Sequence, residues 1–352
     1  MKAAFYPHDR VQSIESLRHP LGFGPDQLRR LARRASRMYF VAKREIKDDG
    51  TPRLLFDTRL PLKTVLQRIN DHFLRRVRYP DYLTGGVPGK DYTSSVDIHV
   101  GAATVVKEDI KQFYPSVSYA VVFDIWHRFF GFDVVVATLL TDLTTRDGHL
   151  EQGAPTSSYL ANLVLWDVEP AVVERLAERG LCRYSRHVDD ICMSSDRHLD
   201  GQEIAWAVSQ VYGMLREKNL QGKRSKHKVM HNNSRVTILK LVANEKSSLP
   251  HSERSRVRAL VHRFCTAVEA GKDLDLLAAE LPRVRGQVHK VKRFHVTKGA
   301  QLVARVDEAA KLLRSAQDSA QLESCGASVA AAIPRHATQI EAIGDDSAPW
   351  DS

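Results

Sequence analysis

Apolar residues recur at helical spacing in several separate blocks, and short strand-like runs lie between them. In PDQLRRLARRASRMYF, Leu28, Leu31, Ala32, Ala35 and Met38 fall on one helical face and arginines fill the other. Pro25 followed by Asp26 suits the start of that helix. FVAKREIKDDGTPRLLFD reads as a β-hairpin that turns at Asp48-Asp49-Gly50-Thr51-Pro52. LPLKTVLQRINDHFLRRV then places Leu62, Val65, Leu66, Ile69 and Phe73 on one face of a second helix. A loop rich in Gly and Pro, YPDYLTGGVPGKDY, leads to a strand-like run, ATVVKEDIKQFY.

A long helical region follows, broken near Gly131. Its most apolar part, YAVVFDIWHRFFGFDVVVATLL, is interrupted by Asp124, His127, Arg128 and Asp133, which predicts buried helices and not a membrane span. EQGAPTSSYLANLVLWDVEPAVVERL is a turn running into a helix, with Thr156 or Ser157 as its cap and Leu160, Leu163 and Val164 on its apolar face. YSRHVDDICMSS has strand-turn-strand character, EIAWAVSQVYGMLREKN is helical, and VTILKLVANEKSSL is strand-like. From Pro250 to about Arg314 the chain reads as helix crowded with Lys and Arg. From about Ser315 an Ala/Ser-rich composition predicts a poorly ordered tail.

The 352 residues are 43% hydrophobic and 27% charged, enough for a substantial core in one large domain or a few subdomains. A formal net charge of +10 points to a polyanionic partner, of which nucleic acid is the commonest. The cysteines, at 182, 192, 265 and 325, form no C-x-x-C pair, so no zinc ribbon or thioredoxin-like motif is expected and a reducing, intracellular setting fits. His227 and His231 stand four apart with nothing nearby to complete a metal set, and read as a solvated polar pair. MKAAFYPHDR lacks the apolar core of a secretory signal, so a cytoplasmic location is expected.

Two adjacent carboxylates, Asp189 and Asp190, interrupt a strand-like run, where Asp is disfavoured. A tight turn would explain them. If the run neighbours the strand that ends at Asp109, three carboxylates converge, repel one another, and call for divalent cations. Magnesium takes hard oxygen ligands, usually one or two carboxylates plus substrate phosphates. Tyr114, five residues after Asp109, would then lie where its ring excludes a 2′-hydroxyl. Gln152-Gly153 precedes a helix start, where a flexible glycine and free N–H groups suit a base pair or phosphate.

In this order and spacing the segments resemble the reverse transcriptases, and among them the prokaryotic retron-type and defence-associated group. DIKQFYPSV resembles polymerase motif A, QGAPTSSYLANL motif B, YSRHVDDICMSS motif C and GKRSKHKV motif D. The resemblance runs from about Leu21 to Arg314 and implies an α+β right-hand polymerase with fingers, an antiparallel-sheet palm and a small helical thumb. Residues 1–105 would form N-terminal helices, fingers and part of the palm. Residues 106–245 would form the palm with motifs A to D, 246–314 the thumb, and 315–352 the tail.

Carried over residue by residue, the resemblance makes Asp109, Asp189 and Asp190, with the carbonyl of Ile110, the ligands of two magnesium ions, for which manganese could substitute. Tyr114 becomes the steric gate. Gln152 and Gly153 contact the incoming nucleotide and template, and Lys47 and Arg53 meet its triphosphate. Lys226 sits by the leaving pyrophosphate as a general acid. His99 and His187 contact nucleic acid, and Arg254, Arg256, Arg285, Lys290 and Lys292 grip the phosphates of the template–product hybrid.

The implied activity is RNA-directed DNA synthesis from deoxynucleotides on a structured non-coding RNA in a bacterial cytoplasm, in antiphage defence, with an effector protein encoded nearby as a partner and no membrane association. A group II intron-like transcriptase, a catalytically decayed RNA-binding scaffold, and template-independent or protein-primed synthesis remain as alternatives. No RNase H or endonuclease domain is expected after the thumb. It departs from the group's pattern at His187, where a Tyr is usual. It departs again at Val96-Asp97-Ile98-His99, which keeps only the His of Asn-Ala-x-x-His, and at Val236-Thr237-Ile238 in place of Val-Thr-Gly. The last two bear on branched RNA-linked DNA and leave the polymerase chemistry intact.

Overall fold

The computed structural model describes residues 3–46 and 50–331, with side chains described as far as residue 320. The chain divides into two compact units, one ending at Pro250 and the other beginning at His251.

The first unit opens with the arginine-rich segment, which forms a helix only over Pro25–Ala32, breaks at Arg33–Arg34 and resumes as a single turn, Ala35–Met38. Leu28, Leu31 and Ala35 are buried as the spacing requires. The hairpin follows as β1 (Tyr39–Ile46) and β2 (Pro52–Thr58), antiparallel, with Tyr39 opposite Thr58 and Ile46 opposite Pro52. The register shifts between Val41 and Lys43, so a β-bulge lies across from Leu55 and Phe56. Helix Leu62–His72 buries Leu62, Val65, Leu66 and Ile69, and Phe73 joins them just beyond its end. Burying each of these side chains fully contributes about 1.5–3 kcal/mol.

The palm is a four-stranded antiparallel sheet of β3 (Thr104–Asp109), β4 (Arg183–His187), β5 (Asp190–Ser195) and β6 (Lys228–His231), in the order β4-β5-β3-β6. This arrangement agrees with the expected α+β right-hand fold. β3 lies between β5 and β6 and is buried on both faces, so its apolar residues run consecutively in TVV. Helix Gly201–Glu217 is started by a capping box: Asp200 accepts from the N–H groups of Gln202 and Glu203, and Glu203 accepts from that of Asp200. Beside the sheet, helix Tyr119–Asp124 widens into one π turn, Ile125–Phe129, which buries Trp126 against Phe130 at 4.8 Å between ring centres. The chain turns at Gly131 and resumes as helix Val134–Thr144.

Two expectations need correction here. Helix Ser157–Leu163 has no side-chain cap: the buried Thr156 and Ser157 hydroxyls make no capping bond, and a turn at Ala154–Thr156 feeds the helix directly. VTILKLVANEKSSL forms only two short strands, β7 (Thr237–Ile238) and β8 (Leu241–Val242).

Among the described residues, the second unit is three helices, His251–Glu269, Leu274–Phe294 and Val296–Ala331. Val257, Val261, Phe264, Val284, Val288, Val291, Val306 and Leu313 form its buried seam. The third helix runs past the expected thumb end at residue 314, so the start of the expected tail is helical as far as Ala331. Ala-rich sequence is a strong helix former, and composition alone hid that.

Candidate active site

Strand register builds the site. β3 and β5 pair with Asp109 opposite Asp190, and the Ile110 N–H donates to the Asp189 carbonyl at 2.9 Å. Like charges directly opposed across a sheet are destabilising. Two ammonium groups offset them: Lys107 Nζ lies 3.0 Å from Asp190 Oδ1, and Lys226 Nζ 2.5 Å from Asp109 Oδ2. Burial pushes the Asp189 carboxyl up to about 6, and repulsion from Asp109 and Asp190 adds to the shift. For Lys226 burial works against the charge, but the bond and attraction to Asp109 outweigh it and raise its pKa.

Asp189 sits in the two-residue turn that joins β4 to β5, and Val188 before it has φ +62°. A β-branched residue rarely adopts that conformation, so its surroundings must hold it. The loop YLTGG does so from one side. A Cβ on Gly85 would fall 2.7 Å from the Val188 nitrogen, so only glycine allows the approach. The neighbouring Thr84 N–H donates to the Arg186 carbonyl at 3.1 Å. Thr84 Oγ1 also lies 3.3 Å from His187 Nδ1. Burial lowers the pKa of His187 against the pull of Asp190 and Asp91, so at neutral pH its ring offers a polar edge without a charge.

Tyr114 is the second residue of a single helical turn, Phe113–Ser116, which follows Gln112 at φ +47°. Its phenol is pushed up to about 12, mainly by burial and further by the charge of Asp189. Gly153 has φ +99°, and a Cβ there would lie 2.6 Å from the Phe56 carbonyl oxygen. The Phe56 N–H donates to the Gln152 carbonyl at 2.7 Å, so the Gln152-Gly153 turn is stitched to β2. Arg53 stands further out on β2, opposite Glu45, with its Nε buried and without an acceptor among the described residues. Lys47 lies outside the described residues.

His99 does not reach a nucleic-acid surface. It is fully buried behind the sheet, with Nδ1 2.7 Å from Ser194 Oγ and Nε2 2.9 Å from Ser185 Oγ. Burial drives its pKa down to about 3, so it is a neutral core histidine. Of the candidate basic residues of the second unit, Lys290 is 2.7 Å from Glu253 and Arg285 3.1 Å from Asp307, so acids within the unit already hold them. Arg256 is exposed and stands 3.8 Å from the same Glu253, Lys292 is exposed, and Arg254 is half-buried.

His227 and His231 are not a pair: His231 Nδ1 meets Thr104 Oγ1 at 3.3 Å, and His227 Nδ1 meets Glu108 Oε1 at 2.5 Å. Glu108 is buried and also accepts from the Tyr212 hydroxyl at 3.0 Å. Sequence reasoning missed Lys107, Glu108, Glu169 and Arg186. For Lys107, Glu108 and Arg186 the one signal was a charged residue inside a run otherwise suited to a buried strand; Glu169, the first residue of helix Glu169–Glu178, gave none.

Among the described residues, no cluster of three or more His, Cys, Asp or Glu forms a ready-made metal cage. The oxygen donors brought together at the site are carboxylates. Cys192 nearby is held protonated, its pKa pushed up to about 12 by burial. That set suits a hard divalent ion that completes its shell with substrate phosphates and water.

No family model matches the sequence. Curated proteins do. The chain is similar to the retron Se72 reverse transcriptase of Salmonella heidelberg (strain 579083-10), 32% identical over 256 residues that cover 72% of this chain and 67% of that one. It is 30% identical over 299 residues to the retron Ec48 reverse transcriptase of Escherichia coli, covering 80% and 72%. With the Ec86 enzyme of the same species it shares 24% over 257 residues, covering 71% and 73%. Among solved structures, the telomerase of Candida albicans with a TWJ fragment of telomeric RNA matches at 11% identity and a TM-score of 0.35, over 72% of this chain and 51% of that one.

Proposed function

Since this chain belongs to the retron reverse transcriptases, we propose that it copies a dedicated, structured non-coding RNA into DNA. RNA-directed DNA polymerisation is its activity. The observation that carries the site assignment is the register that sets Asp109 against Asp190, with Asp189 beside them.

Asp109, Asp189, Asp190 and the Ile110 carbonyl would hold two magnesium ions, or manganese in their place. Such ions stabilise the attacking and leaving oxygens of an in-line displacement at the deoxynucleotide α-phosphate. The protein's own groups do the positioning. Arg53 would pair with the triphosphate through its planar fork. The Gln152-Gly153 backbone would support the new base pair, and the half-buried Tyr114 ring would close the space a 2′-hydroxyl needs. Lys226 holds a proton at the mouth of the site and would deliver it to the leaving pyrophosphate. His187 would orient the primer end as a neutral ring. Arg254, Arg256 and Lys292 would track the phosphates of the RNA/DNA hybrid, and Arg285 and Lys290 would first have to leave their acids.

Among the described residues no helix is long and apolar enough to cross a membrane. We place the enzyme in the bacterial cytoplasm, in antiphage defence, with an effector protein as partner. Its relatives' bacterial sources and retron names support that reading.

The test is to purify the protein with its bound RNA, sequence that RNA, and follow extension with deoxynucleotides and Mg²⁺. DNA complementary to one recurrent structured RNA is expected. Extension no greater than that of the Asp189→Ala, Asp190→Ala double variant, with the recurrent RNA present, would overturn the reading.

A further inference from the structure

Arg186 is the second-largest fully buried side chain, after Trp126, and lies mid-strand in β4. A wholly buried arginine is rare unless paired. Its Nε donates to Glu169 Oε1 at 2.6 Å and Nη2 to Glu169 Oε2 at 2.8 Å, a bidentate contact. The remaining donors reach backbone. Nη2 meets the Asn162 carbonyl at 2.8 Å, and Nη1 meets those of Ala161 and Val188, each at 3.3 Å. All five N–H groups of the guanidinium are therefore used.

The recipients matter more than the number. Ala161 and Asn162 lie in the last turn of helix Ser157–Leu163; the Ala161 carbonyl also accepts from the Val164 N–H at 3.4 Å, so the guanidinium shares it with the helix end. Val188 is the residue at φ +62° whose carbonyl belongs to the same peptide as the Asp189 nitrogen. One planar group thus ties the helix behind the Gln152-Gly153 turn to the peptide that aims Asp189. The Arg186 backbone is clamped as well: its N–H donates to the Tyr82 carbonyl, and its carbonyl accepts from Thr84. Glu169 is steadied by the Tyr184 hydroxyl at 2.8 Å.

Stability does not account for such a pair. A buried ion pair can often be replaced by apolar residues of similar volume at no cost, because desolvation cancels the attraction. What apolar residues cannot supply is a donor to the Val188 carbonyl. We propose that Arg186, oriented by Glu169, is a positioning residue that fixes the Val188–Asp189 peptide relative to helix Ser157–Leu163 and so sets the separation of the Asp189 and Asp109 carboxylates. The proposal rests on the polymerase reading of those aspartates.

Two variants of the full chain test it. Arg186→Lys keeps the charge but loses the fork. Arg186→Met with Glu169→Leu removes both charges and keeps an apolar fill. Each is titrated with Mg²⁺ in two ways: by the shift in melting temperature of the protein alone, and by the rate of primer extension at saturating deoxynucleotide. The expected result for both is a melting temperature without Mg²⁺ near that of the wild type and a Mg²⁺ midpoint raised about tenfold or more, as for lost partners of metal-orienting groups. KM for deoxynucleotide should stay unchanged.

A wild-type midpoint in the Met/Leu variant overturns the proposal, because the pair is then only filling. Failure of both variants to fold overturns it too, since positioning would not be separable from the fold. Asp189→Asn is the control for the underlying reading. If it takes up Mg²⁺ with the wild-type midpoint, the metal assignment itself fails. If it loses the response while the Arg186 variants keep it, the positioning role alone fails.

Discussion

The turn that carries Asp189 into Asp190 at the start of β5 and the turn that carries Lys226 meet at the same three carboxylates, yet they are braced in opposite ways. The first rests on a dry network, with the Arg186 side chain 0% and the Glu169 side chain 2% exposed. The second, Arg224–Lys226, is tied through His227 to the buried Glu108, but His227 keeps 38% and Lys226 50% of its side chain in solvent. Away from water a hydrogen bond is stronger and its loss costs more, whereas an exposed ion pair contributes about 0–1 kcal/mol. The acids sit on the rigid part of the site and Lys226, the proposed proton donor, on the compliant part. A metal-binding geometry tolerates little displacement, while a general acid must follow a departing group.

The largest expected break in that contrast is Asp189→Asn. Primer extension should fall by about 10⁴-fold, since several kcal/mol of charge stabilisation are lost. Stability should move the other way. Folded Asp189 holds its proton up to about pH 6, above its unfolded value near 3.8. The stability it contributes is therefore full below the unfolded value and is lost as pH rises through 6. At pH 7.5 ionised Asp189 costs the metal-free fold on the order of 3 kcal/mol, which Asn removes. Thermal melts at pH 7.5 should show a gain of several degrees, shrinking towards pH 4.

Next in size is Gly85→Ala, which pushes on the rigid turn from the side opposite Arg186. The added methyl collides with the Val188 backbone, and a misplacement near 1 Å costs about 10²-fold in rate. Steady-state extension should drop accordingly while circular dichroism is preserved. Tyr114→Val opens space beside the same turn. Discrimination against ribonucleotides, read as the ratio of kcat/KM values, should fall about tenfold, as for a lost contact of 1–2 kcal/mol.

The smallest effect belongs to the compliant side. Glu108→Gln loses the charge and keeps one acceptor oxygen, so either Tyr212 or His227 must reverse its hydrogen bond; extension should fall no more than about fivefold and the Mg²⁺ midpoint should not move. A loss as large as that of Gly85→Ala would abolish the contrast.

The hairpin, helix Leu62–His72, the strand–turn–strand around Asp189 and the order of the motifs were legible because each rests on local periodicity or on a contiguous motif. The bracing was not. Arg186 and Glu108 stand in strands buried on both faces, where a charged residue signals only that some partner exists, and the partners lie far along the chain at Glu169 and His227. His99 misled because a histidine kept within a motif looks functional, while its serine partners, Ser185 and Ser194, become neighbours only through sheet pairing. The helix reaching Ala331 was hidden by a composition that suits both a helix and a loose tail.

The bond from Phe56 to the Gln152 carbonyl has a mechanical consequence. It pins β2 to the palm at the level where the bulge between Val41 and Lys43 loosens β1. The hairpin would thereby act as a lever with its fulcrum at Phe56. Arg53, three residues further out and so about 10 Å along the strand, would ride on the arm. The Gln152-Gly153 turn would stay on the fixed side. In the proposed polymerase, a swing of the arm would bring the guanidinium down on a triphosphate without disturbing the surface proposed to support the base pair.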